Sequence, residues 1–120
     1  MRCAKEGRQM FALVVEFEIL DGHTQAFDAL VADTVTAITR GEPGTVVYVT
    51  HTRSDKPHLR IFYECYRDHD AFAAHEQQPH TARFLLERDK HLARPPTVWR
   101  LQPATGALNG SPLMERSDSD

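Results

Sequence analysis

The chain predicts an α+β domain, an antiparallel sheet with helices on one face, in the order βαββαβ. Three observations carry this. Residues 11–20, FALVVEFEIL, put Phe11, Leu13, Val15, Phe17 and Ile19 on one side and Glu16 and Glu18 on the other, the period of two of a half-buried strand. Residues 24–40 repeat apolar side chains at spacings of three and four. Two β-branched and aromatic runs, 45–53 and 59–67, then follow one another across a short polar stretch, as a hairpin does.

The elements justify themselves in order. After the first strand, Asp21-Gly22 turns the chain into an amphipathic helix whose inner face is Phe27, Leu30, Val31, Thr34, Val35 and Ile38. GEPG ends it: Gly41 suits the left-handed residue past a helix end, and Pro43 prevents continuation. SDKPH (54–58) is the expected hairpin loop between TVVYVTHTR and LRIFYECYR. Asp68 caps a second helix that carries Ala71, Phe72 and His75 along one side. Pro79 breaks or restarts it, Phe84, Leu85 and Leu92 continue an apolar face, and TVWRL (97–101) is the last strand. The domain is expected over 10–102, between disordered tails at 1–9 and 103–120 whose composition is mixed and without period.

This order is that of a ferredoxin-like fold. The central hairpin is apolar on both sides, because Val46 and Tyr48 alternate with Val47 and Val49, and Phe62 and Tyr66 with Ile61, Tyr63 and Cys65. Two helices cover only one side of a sheet, and a solvated side should be polar. The second side is therefore expected to pack on another sheet, most simply that of an identical partner in a two-fold homodimer.

Composition excludes several classes. Lys and Arg number 14 against 17 Asp and Glu, a formal charge of −3, with no long block of either sign, so nucleic acid is not an expected partner. No run approaches the about 18 apolar residues of a membrane span, and the N-terminus has no apolar signal core, so no membrane partner is expected and the protein is expected to be cytoplasmic. Cys3 and Cys65 make neither a disulfide framework nor a zinc motif, and Cys65 fits a small buried apolar side chain. Seven histidines are many for 120 residues, but none are spaced as H-x-x-x-H, so no metal ligands are assigned. The G-x-G-x-x-G of flavin or nicotinamide sites is missing as well, and no cofactor is expected.

VVEFEILDGHTQAFDALV, GEPGTVVYVTH and FYECYRDHDAFAAHEQQPH, in that order, resemble the antibiotic biosynthesis monooxygenase family of dimeric α/β barrels, which includes small quinol monooxygenases. The most specific stretch holds Glu64, Tyr66, Ala71, Phe72, His75, Pro79 and His80; Glu42-Pro43-Gly44 before a strand is a second mark. The resemblance implies oxidation of a small electron-rich phenol, hydroquinone or polycyclic aromatic by dioxygen, without cofactor. Heme-degrading relatives carry an Asn on the first strand and a Trp near the end of the third. Here 11–20 has no Asn and position 66 is Tyr, so heme breakdown is not implied. Other relatives imply an alternative, a non-catalytic or isomerising dimer that binds small molecules.

Phenol oxidation needs a base in a dry aromatic pocket, because the hydroxyl must lose its proton before the ring passes an electron to dioxygen. Strand alternation puts Phe62, Glu64 and Tyr66 on one face, and His75 follows Phe72 into the interior three residues along a helix. His75 or His80 is the candidate base and Glu64 the group that orients the imidazole. The alternative for Glu64 is that of a structural acceptor for His75 or the backbone. Tyr48, Phe62, Tyr66, Phe72, Phe84 and Trp99 are the candidate aromatic walls for substrate. His51, His58, His69 and His91 are expected on the surface.

Overall fold

A computed structural model describes residues 9–108 and 111–112. The expected tails at 1–9 and 103–120 lie for the most part outside these residues. Four strands, β1 (Phe11–Glu18), β2 (Thr45–Arg53), β3 (Lys56–Tyr66) and β4 (Thr97–Leu101), form one antiparallel sheet in the order β2-β3-β1-β4. The helices α1 (Thr24–Gly41), α2 (His69–Glu76) and α3 (Pro79–Arg88) complete the βαββαβ order, the last helix being split in two; a 3-10 turn, Asp89–His91, follows. A small two-stranded ladder, β5 (Ala107–Leu108) with β6 (Ser111–Pro112), lies beyond β4. No helix among the described residues is long and apolar enough to cross a membrane.

The core forms where the β1 alternation meets the helices. Leu13, Val15, Phe17 and Ile19 pack with Phe27, Leu30 and Val31 of α1, Phe62 of β3 and Phe84 of α3. Thr34 is buried among them because its hydroxyl donates to the Leu30 carbonyl at 2.9 Å. Gly22, at φ 82°, makes the turn into α1. Asp68 caps α2 by accepting from the Ala71 amide at 2.8 Å, and Pro79 occupies the first turn of α3, where its missing N–H is no loss.

Three local expectations are corrected. Gly41 is the last helical residue of α1 rather than a left-handed stop; the cap is Glu42, whose N–H reaches the Ile38 carbonyl at 3.0 Å. Glu42 precedes proline, which disfavours helical geometry, and it adopts φ −127°, ψ 81°. The hairpin turn contracts to Ser54-Asp55, held by Arg53 donating to both Asp55 oxygens, so β3 begins at Lys56. Pro57 is tolerated because β3 carries a bulge there: Thr52 pairs with Arg60 and Arg53 with Lys56, leaving 57–59 unopposed on β2. His91 is half-buried rather than on the surface, with its Nδ1 3.0 Å from that of His23. His51, His58 and His69 are exposed, as expected.

Register sorts the sheet into two faces. Leu13 pairs with Glu64 and with Arg100, and Glu64 pairs with Tyr48, so these four share the row that faces the helices. Val14 pairs with Tyr63 and Trp99, and Tyr63 with Val49, so that row faces the other way. Val49, Trp99 and Leu101 on this second face are exposed in the single chain.

Candidate active site

The site is built where the end of α1 meets the break between α2 and α3. The pre-proline conformation of Glu42 turns its side chain inward, and only 4% of that side chain is exposed. Three donors converge on it. Thr45 Oγ1 donates to Oε1 at 2.6 Å, and His75 Nδ1 lies 2.9 Å from Oε1 and 3.1 Å from Oε2. His80 Nε2 donates to Oε2. His75 closes α2 and His80 opens α3, so the break between the helices lets two histidines five apart reach one carboxylate.

This geometry assigns protons. Burial pushes the Glu42 carboxyl up, but the hydrogen bonds from Thr45, His80 and His75 outweigh it and hold the group below the usual carboxylate range. An ionised carboxylate only accepts. The ring nitrogens facing it, His75 Nδ1 and His80 Nε2, therefore carry the hydrogens. In a neutral ring the lone pair is left on the opposite nitrogen, Nε2 of His75 and Nδ1 of His80.

Around the His75 ring stand Tyr66 at 5.2 Å, Tyr48 at 5.8 Å and Phe72 at 6.4 Å between ring centroids. Glu64 is buried beside them but does not bond a histidine. Its Oε1 accepts from the Tyr66 hydroxyl at 2.6 Å, a neighbour two residues along the same strand face. Burial holds the Glu64 carboxyl above its ordinary range, against the opposing pull of the Tyr66 hydrogen bond and of the nearby His75 ring. The Tyr66 and Tyr48 hydroxyls are pushed far up by burial and by the charges of Glu64 and Glu42.

The structure brings His75, His80, Tyr48, Tyr66 and Phe72 together, and places three of the sequence candidates differently. Glu42, not Glu64, orients the imidazoles. Phe62 and Phe84 are packed with Phe17 and Phe27 in the core rather than facing open volume. Trp99 is on the opposite face of the sheet from His75 and walls no pocket with Tyr48 in the same chain. Glu42 and Thr45 escaped the sequence reading because GEPG reads first as a helix terminator. One signal was present: a carboxylate at a helix C-terminus opposes the helix dipole, so a glutamate there asks for a cationic or hydrogen-bonding partner.

A cleft of about 160 Å³ opens beside Glu42 and His75, walled by Gly44, Ala71 and Ala74 and rimmed by Arg67 and Gln78.

A small antiparallel sheet covered on one face by helices, with a carboxylate hydrogen-bonded to two imidazoles between the layers, defines a ferredoxin-like α+β protein. Residues 10–85 match the family model described as antibiotic biosynthesis monooxygenase, and the chain belongs to that family. Among solved structures it is similar to Rv0793 from Mycobacterium tuberculosis, with 26% identity, a TM-score of 0.75, and 82% of this chain and 99% of that chain covered. PA3566 from Pseudomonas aeruginosa shares the fold at 23% identity and TM-score 0.72, over 82% of this chain and 97% of that one. SO0527 from Shewanella oneidensis does so at 24% identity and TM-score 0.71, over 80% and 92%. No match to a curated protein was found.

Proposed function

We propose that the protein is a cofactor-independent monooxygenase that oxidises an electron-rich phenol, hydroquinone or polycyclic aromatic with dioxygen, His75 acting as the base. The observation that carries this reading is the pairing of Glu42 with His75 Nδ1, which leaves Nε2 as a proton acceptor among Tyr48, Tyr66 and Phe72. Nε2 takes the phenolic proton, Glu42 stabilises the resulting imidazolium, and the phenolate passes one electron to dioxygen. The radical pair joins as a ring peroxide, which loses water to leave a quinone. The substrate supplies all four electrons that reduce dioxygen, one oxygen atom entering the ring and the other leaving in water. No external reductant is required.

Membership of the family supports this reading, as does the apolar outer face of the sheet for a homodimer. Val14, Val49, Ile61, Tyr63 and Trp99 lie on that face, and an identical sheet packed against it removes them from water.

Oxygen uptake by protein stripped of metal and flavin, with a panel of hydroquinones and phenols, is the test. Turnover above autoxidation is expected, with His75→Ala lowering it by about 10²–10⁴-fold. His58→Ala, at an exposed position, is expected to leave it unchanged. Binding of panel compounds without any turnover would support the binding or isomerising alternative instead.

A further inference from the structure

The helix layer does not cover the sheet evenly. All five residues of β4 are exposed, and a cleft of about 320 Å³ opens where the ends of β4 and β1 meet the first turn of α2, lined by Phe11, His69 and Arg100 and also by Met10 and Leu101. That volume is at the lower end of the range of about 300–1,000 Å³ found for small-molecule sites. Its floor is Phe11 and its polar walls include His69, Arg100 and Gln102. Arg100 shares the sheet row of Leu13, Glu64 and Tyr48, so it stands on the same face as the carboxylate and its two imidazoles.

The contacts give the cleft a chemical character. The Arg100 guanidinium lies 5.8 Å from the centre of the Phe11 ring, and the His69 ring packs 4.5 Å from it. No carboxylate among the described residues is within ion-pair reach of Arg100, whereas Arg53, Arg60, Arg67, Arg83, Arg88 and Arg94 each have one. From Phe11 a file of rings runs inward: Phe72 at 4.7 Å, then Tyr66 at 5.1 Å from Phe72, then His75 at 5.2 Å from Tyr66. A guanidinium beside an apolar ring suits a ligand that is both aromatic and acidic, because the planar fork binds a carboxylate in two hydrogen bonds while the ring takes the apolar part.

We infer that the cleft between β4 and the start of α2 binds the carboxylate of an acidic aromatic substrate, Arg100 and His69 holding the anion and Phe11 carrying the ring, with the phenolic end directed past Phe72 toward His75. This deepens the oxidation reading by naming a substrate class, carboxylated phenols, and it rests on that reading for the direction of the phenol only. Phe72 is half-buried and is the ring that must yield for the phenol to meet His75.

Calorimetry with 6-hydroxy-2-naphthoate, whose acid and hydroxyl lie at opposite ends of the ring system, and with 2-naphthol, its neutral parent, tests the site without turnover. The acid is expected to bind about tenfold or more tightly than the neutral compound, as a charge-assisted bidentate contact allows. Arg100→Gln should abolish the preference, Arg100→Lys should keep part of it, and Arg94→Gln should leave it intact, all with unchanged circular dichroism. Equal affinity for the two compounds in the parent protein, or a preference that survives Arg100→Gln, overturns the inference. An Arg100-dependent preference without oxygen uptake would uphold this site and remove the oxidation reading; His75-dependent turnover of neutral phenols with no effect of Arg100 would do the reverse.

Discussion

Gly44 and Ala71 touch so closely that a Cβ added to Gly44 would lie 2.6 Å from the Ala71 Cβ. Gly44 is buried, and its carbonyl accepts from the Arg67 amide at 2.9 Å. The contact presses the segment that carries Glu42 and Thr45 onto the helix that carries His75. Gly44→Ala should therefore push the carboxylate away from the imidazoles. A destabilisation of about 1–3 kcal/mol is expected in urea denaturation, as for overpacking elsewhere. Ala71→Gly added to it should restore part of the loss, because it removes the atom struck.

Removing the Glu42 carboxylate should harm both fold and chemistry. Glu42→Ala leaves the hydroxyl of Thr45 and the N–H groups of His75 and His80 without their acceptor. Each hydrogen bond to a charged group contributes about 1.5–3 kcal/mol, so the loss should exceed that of Glu16→Ala, at a half-exposed position, by at least one such bond. Turnover should fall along with stability. Glu42→Gln is the sharper probe: it keeps the volume, yet its amide can donate to His75 Nδ1, and the proton then moves to Nε2. A folded Gln variant with full activity would show that the tautomer does not matter.

The two buried carboxylates should give opposite dependences on pH. Glu42 is held below the ordinary range, so its contribution is present above the unfolded value of about 4.3 and is lost as pH falls through the lowered folded value. Glu64 is held above the ordinary range, so its contribution is complete below the unfolded value and is lost as pH rises through the raised one. Melting temperatures measured from pH 3 to 8 should show the acid-side fall flattened in Glu42→Ala. Glu64→Gln should instead remove the fall on the alkaline side, and at neutral pH it should be stabilising or neutral.

The outer sheet face should close a homodimer. Sedimentation at micromolar concentration is expected to give twice the chain mass, and Tyr63→Glu or Val49→Asp should shift it toward monomer. A stable monomer in the parent protein would mean that Val49 and Trp99 stay in water, and the homodimer would have to be abandoned.

The fold was legible because its signals are local and repeated. The alternation of Leu13, Val15 and Phe17 and the three-four spacing of Phe27, Leu30 and Val31 each report which side is buried, and the two sets meet in one core. His75 was legible for the same reason, since it follows Phe72 on a helix whose inner side was already marked by Ala71. Glu42 was not, because its role depends on a backbone angle imposed by Pro43 and on two residues more than thirty positions away. Glu64 was misassigned because alternation tells which face a side chain takes, not which neighbour it bonds; Tyr66, two residues on, was nearer than any histidine. Trp99 failed on register, which for a strand joined to the sheet by a long excursion is set by tertiary pairing with Val14 and not by any pattern within TVWRL.

The bulges in the hairpin bear on how copies of the chain meet. β2 is one rim of the sheet, and its ladder to β3 slips at both ends, once between Thr45 and Val47 and again between Thr52 and Arg53. β4, the other rim, is five residues long. Slipped or brief rims make poor templates for strand addition, because an incoming chain cannot match a continuous row of amides and carbonyls. The exposed apolar surface lies instead on the flat of the sheet, at Val49, Trp99 and Leu101, where a partner would be met by side chains and not by backbone. In the proposed homodimer, self-association would therefore be saturable: a pair that buries the flat of the sheet leaves only slipped or brief rims, which do not extend into a growing ribbon.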